Sequence, residues 1–184
     1  MSTRALAVGL LTGVVLTLAH AVLPDRWAVL AGTSALWGVV PMLVSRRPGA
    51  RGIDGAVWGI LAMVGTLVPW LVVHADSTSA AELGLWLVVG PVAGAVCGTA
   101  GAASARDGGR GALAAGLVPG IVAGEAVYGL VLVGGPAWGL ELAVALVLLA
   151  VVSRPARRAP ALGSAVVALA LVYFACLGYD ALLS

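Results

Sequence analysis

Glu125 lies deep inside the apolar run Ala112–Val133, about thirteen residues from its arginine-flanked end. At about 1.5 Å of rise per residue that is roughly 20 Å along a helix. An ionisable group at that depth is a functional-site candidate if the run crosses a bilayer. It serves either as a recognition carboxyl or as a neutral acid bonded to a neighbouring helix, because desolvation disfavours the charged form. Inward placement is expected, since a carboxyl facing lipid is costly. Tyr128 follows three residues later on the same helical face, which predicts a contact between its hydroxyl and the carboxyl. Counting along the other apolar runs sets Thr17, His20, Ser34, Trp70 and Tyr173 at a similar height. Together these groups predict a ring of polar and aromatic side chains around one pocket. The plainer readings are an interfacial belt for the aromatics and bonds back to their own helix for Ser and Thr. His20, Glu141 and Asp180 lie near the ends of their runs, and each reads first as a polar or solvated group there.

Other chemistry is missing from the sequence. It contains no H-E-x-x-H, G-x-S-x-G, C-x-x-C or Walker loop. Gly178-Tyr179-Asp180 matches one half of an intramembrane aspartyl protease site without a second acid in the matching context, and Asp107-Gly108-Gly109-Arg110 lacks the further acidic pair that would hold metal ions. Cys97 and Cys176 are isolated in apolar stretches with no metal-ligand spacing. Their expected depths differ by roughly 14 Å, beyond the roughly 7 Å reach of a disulfide, so two free thiols are expected. No catalytic residue, metal or cofactor is predicted, and the chain is expected not to be an enzyme.

The elements that position these residues follow from composition. Of 184 residues 61% are hydrophobic and 10% charged, with a mean hydropathy of +1.10; a soluble domain carries roughly 25% charged residues. The chain therefore reads as an all-α integral membrane protein, one transmembrane helical domain over 1–184. Runs of near-spanning length cover Ala5–Leu23, Ala28–Val44, Ala56–Val73, Leu83–Ala103, Ala112–Val133, Trp138–Val152 and Ala161–Leu182. That predicts a bundle of about seven helices with short loops, the sixth being short. Arg4 and the run to Ala19, followed by Ala19-His20-Ala21, also fit a cleavable signal; the segment is read as retained.

Nine of the ten arginines fall on one side if the N-terminus is cytoplasmic, leaving Arg26 outside. This predicts N-terminus in, C-terminus out, in the cell membrane. Gly90, Gly94 and Gly98 in the fourth run, and Gly116, Gly120 and Gly124 in the fifth, recur at i, i+4, i+8. Such stripes let backbones approach closely, and the two are expected to meet each other.

The stretches Ser34-Ala35-Leu36-Trp37, Gly90-Pro91-Val92-Ala93-Gly94 and Gly124-Glu125-Ala126-Val127-Tyr128 resemble a family of small multispan actinobacterial membrane proteins of unknown function. The resemblance adds Trp37 to the residues of interest and brings no activity. Size and helix count are also similar to the substrate-binding components of energy-coupling-factor vitamin transporters, an analogy of architecture alone. The expected partners are the lipid bilayer and a small-molecule ligand or a membrane-protein partner, with no support for nucleic acid. Two functions stay open: a non-enzymatic membrane protein that binds or passes a small solute or lipid through an outer-half pocket around Glu125, or a structural subunit that uses its glycine-striped helices to bind a partner.

Overall fold

The computed structural model describes residues 2–76 and 78–183, the side chains of Ser34, Ala35, Leu182 and Leu183 excepted. Within them the chain is all-helical. It comprises α1 (Ser2–Val22), α2 (Asp25–Gly32), α3 (Ser34–Ser45), α4 (Gly52–Val73), α5 (Ala80–Ser104), α6 (Gly109–Tyr128), α7 (Pro136–Val152) and α8 (Arg158–Leu183). Local chemistry sets several boundaries. Ser79 caps α5 by accepting the Glu82 amide at 3.2 Å. Pro136 opens α7, where its missing N–H costs nothing. Before it, Gly134 and Gly135 adopt φ of +79° and +109°, a reversal that other residues resist. The last turn of α6 widens into a π-helical turn over Gly129–Val133; the Trp138 ring fills the space a side chain at Gly129 would need.

Three helix pairs carry the packing: α1 with α4 and α6 with α8, which run parallel, and α4 with α5, which run antiparallel. α3 lies across α4, α5 and α6, and α6 is the most buried of the long helices. The core runs through Met42, Cys97, Val118, Val122, Leu148 and Val152. The outward faces are apolar as well, including Val88 and Val92 of α5 and Val166 and Leu171 of α8, as a lipid solvent requires.

The two glycine stripes do not meet each other as expected. The α5 stripe lies on α4: a Cβ at Gly94 would come 2.6 Å from the Gly59 carbonyl oxygen and 2.7 Å from the Met63 Cβ. The α6 stripe lies on α8, where a Cβ at Gly120 would sit 2.7 Å from that of Ala168. The reason is complementarity, since α4 offers Gly55 and Gly59 and α8 offers Ala161, Ala165 and Ala168. Gly94 and Gly98 meet Gly59 and Gly55, and Gly116 and Gly120 meet Ala161 and Ala165, at a matching repeat, while Gly90 and Gly124 leave room for Leu67 and Val172. α1 uses the same device, with Gly9 and Gly13 against α4 and the Thr66 hydroxyl reaching the Gly9 carbonyl at 3.3 Å.

Among the described residues five helices are long and apolar enough to cross a membrane, and a sixth crossing comes from α2 and α3 if that bent pair is one span. The expected uninterrupted run Ala28–Val44 breaks at Thr33, where the backbone is extended (ψ 123°) and the axis turns by 41°. Side chains satisfy the carbonyls released there: Thr33 Oγ1 donates to Leu30 at 3.1 Å and Trp37 Nε1 to Ala31 at 3.0 Å. Such re-satisfaction is what permits a broken helix away from water.

Candidate functional site

Gathered at one end of the bundle are most of the arginines. Arg46 donates to the Val152 carbonyl at 3.1 Å and Arg106 to that of Ala50 at 2.5 Å, while Arg154 and Arg157 pair with Asp107. The chain thus returns to this end at the close of α3, α5 and α7. Arg4 of α1 shares a small cleft there with Val44 and Arg47.

Toward the other end lies a cavity of about 610 Å³. α6 supplies Val118, Ile121 and Glu125, α3 supplies Trp37 and Gly38, α4 supplies Met63 and Leu67, and α5 and α8 flank it with Trp86 to Cys97 and with Val172 and Cys176. Among the described residues α5 and α8 do not form a packed pair. Val88 and Val92 both line the cavity and stand exposed on the outer face of α5, so its mouth opens sideways, where lipid would be. Glu125, half-buried, brings the charged side chain of this lining. Both thiols are free and both reach the cavity.

An aromatic cluster adjoins the cavity through Trp37. Its ring lies 5.4 Å from that of Trp70 and 6.2 Å from that of Trp86, and Trp70 stacks on His74 at 4.2 Å. His20 sits edge-on to Trp70 at 4.9 Å and to His74 at 5.6 Å. Nδ1 of His20 faces the Ala28 carbonyl at 3.2 Å and Nδ1 of His74 the Trp70 carbonyl at 2.9 Å. A carbonyl only accepts, so Nδ1 carries the proton in both rings.

The sequence-derived ring thus separates into parts. Glu125 lines the cavity, as does Trp37, the residue added by the family resemblance; His20 and Trp70 belong to the aromatic cluster behind it. Tyr128 does not bond to the Glu125 carboxyl as expected, because its hydroxyl donates to Asp180. Tyr173 packs edge-on to Tyr128 at 6.5 Å and to Phe174 at 5.6 Å. Thr17 bonds back to the Gly13 carbonyl at 2.8 Å. The Ser34 side chain lies outside the described residues.

Glu141 departs furthest from its sequence reading. Rather than solvated, it is 0% exposed. The signal for this was its spacing: Glu141, Ala145, Leu148 and Val152 stand at i, i+4, i+7, i+11 and are all buried, a single core-facing stripe. Counting from the end of the run hid that face.

A family model described as "Family of unknown function (DUF6518)" matches residues 2–184. The chain belongs to that family. No curated protein and no solved structure matches it. The DUF6518 assignment covers the helical bundle from α1 to α8 and brings no activity with it.

Proposed function

We propose that this DUF6518 chain is a non-enzymatic protein of the cell membrane that binds or passes a small solute or lipid-like molecule through the cavity beside Glu125. The observation that carries this reading is an apolar cavity of about 610 Å³ with one carboxyl in its wall. Its size suits a small ligand site. Its lining favours an amphiphile with an apolar body and a cationic or hydrogen-bond-donating head for Glu125. The sideways mouth between α5 and α8 supports entry from the bilayer.

The reading includes seven crossings with the N-terminus in the cytoplasm. Contacts of Arg46 with Val152 and of Arg154 with Asp107 support α3 and α7 as full returns to the arginine end, the cytoplasmic end under the positive-inside rule. The cavity then lies in the outer half. In the alternative, the chain is a structural subunit that binds a membrane-protein partner. Both glycine stripes are already covered within the bundle, so a partner would use the remaining apolar faces.

Trp37 and Trp86 line the cavity and report on it. In the reconstituted protein a brominated alkylamine should quench tryptophan fluorescence saturably, more strongly than the brominated alkyl sulfate of equal length, and Glu125→Gln should remove the difference. Equal, unsaturable quenching by both amphiphiles in the parent would reject the reading.

A further inference from the structure

Neither carboxyl oxygen of the fully buried Glu141 has a hydrogen-bond partner among the described residues. Leaving an ionised carboxylate in that state costs several kcal/mol, so the group requires a proton or a counter-charge. Its surroundings do not supply one. Thr33 lies beside it, but the single hydroxyl proton of Thr33 goes to the Leu30 carbonyl at 3.1 Å. The charge that acts on Glu141 is that of Glu125, another acid. Of the remaining titratable groups on α2, α6 and α8, Asp25, Arg26, Arg110, Arg158 and Tyr179 are exposed, Tyr128 and Asp180 are bonded to each other, Tyr173 packs on the Tyr128 ring, and Cys176 lies in the cavity wall. Among the described residues Glu141 enters no ion pair.

The backbone is interrupted on both sides of this point. Thr33 is the residue at the break between α2 and α3, and the π-helical turn begins four residues after Glu125. Interrupted helices at membrane depth are a recurrent framework for cation sites, and π turns often accompany functional positions.

We propose that Glu141, with Thr33 Oγ1 and the Glu125 carboxyl, forms a buried site for one exchangeable monovalent cation, a proton or Na⁺ in its place. Glu125 lines the cavity and Glu141 does not, so Glu125 is the relay between the cavity and the inner carboxyl. The site shares Glu125 with the ligand reading above but does not need the cavity filled.

Infrared spectroscopy of the liposome-reconstituted protein, with no amphiphile added, tests this. The pH is titrated in choline chloride and again in sodium chloride. A carboxylic-acid C=O band should be present at neutral pH in choline and absent from Glu141→Gln. In Glu125→Gln, which loses a neighbouring negative charge, the proton affinity of the remaining acid should fall about tenfold or more, the size of coupling expected for an interacting pair. Loss of the band on adding sodium at constant pH would identify Na⁺ as an occupant that displaces the proton; indifference to sodium would leave the proton as the occupant. A parent protein with no such band in either salt, or a band that survives Glu141→Gln, would overturn the site. If Glu141→Gln fails to fold, an unchanged titration in Glu125→Gln overturns it and a shifted one supports it. Fluorescence quenching by the amphiphiles is a separate readout, so failure here leaves the cavity reading standing.

Discussion

Trp37 donates its indole N–H to the Ala31 carbonyl at 3.0 Å, across the break between α2 and α3. The same ring forms part of the cavity wall, so the side chain that closes the broken helix also shapes the candidate site. Trp37→Phe keeps most of the apolar surface but leaves the carbonyl without that donor. Loss of one such bond in a membrane bundle corresponds to about 1 kcal/mol. The variant should melt a few degrees below the parent in detergent and show weaker quenching by the brominated alkylamine. An unchanged melting temperature would mean that the bond does not hold the break.

Gly94→Leu and Gly120→Leu should each destabilise the bundle, the first by separating α5 from α4 and the second by separating α6 from α8. A Cβ already falls within 2.7 Å of a neighbouring atom at both positions, and overpacking of this kind costs about 1–3 kcal/mol or more. Gly139→Leu is the control, because no atom lies within 4 Å of a Cβ there. Folded yield in detergent should fall for the first two and hold for the third. Equal yields for all three would show that the stripes are not close contacts.

How far the sequence reached can be read from these glycines. Their spacing identified two close-packing faces, but the choice of partner lay in the weaker repeats of α4 and α8, where Gly55 and Gly59 or Ala161 and Ala165 are not conspicuous in a chain rich in both residues. Glu125 was legible because a charge deep in an apolar run is conspicuous wherever the helix packs. Glu141 was not, because its burial comes from the way α6 and α2 cover α7, and distance from a loop says nothing of that. The break at Thr33 was likewise hidden. The run from Ala28 to Val44 is apolar throughout, and the bonds that permit the bend appear only in three dimensions.

Tyr128→Phe should leave amphiphile quenching at the midpoint of the parent, since its hydroxyl is directed at Asp180 rather than Glu125. Asp180→Asn should have the same small effect on the melting temperature, and the double variant should be no worse than either single change. That result is expected when two residues act only through each other. A weakened quenching response in Tyr128→Phe alone would instead place the hydroxyl in the ligand site.

α7 decides between six and seven crossings. Its 17 residues span about 25 Å at 1.5 Å each, a little short of the roughly 30 Å hydrocarbon core, yet the chain enters it opposite the arginine end and leaves it where Arg46 holds the Val152 carbonyl. Modest thinning of the bilayer or snorkelling of flanking side chains accommodates such a shortfall at a small cost. If α7 crosses, Pro136 and Ala156 lie on opposite sides, with Pro136 outside under the arginine orientation. Both positions are exposed. In a background with Cys97 and Cys176 changed to alanine, Pro136→Cys should react with a membrane-impermeant maleimide in intact cells. Ala156→Cys should react only after the membrane is opened. Labelling of both from the outside, or of neither, would mean that α7 does not cross, and with it the outward-facing position of the C-terminus would be lost.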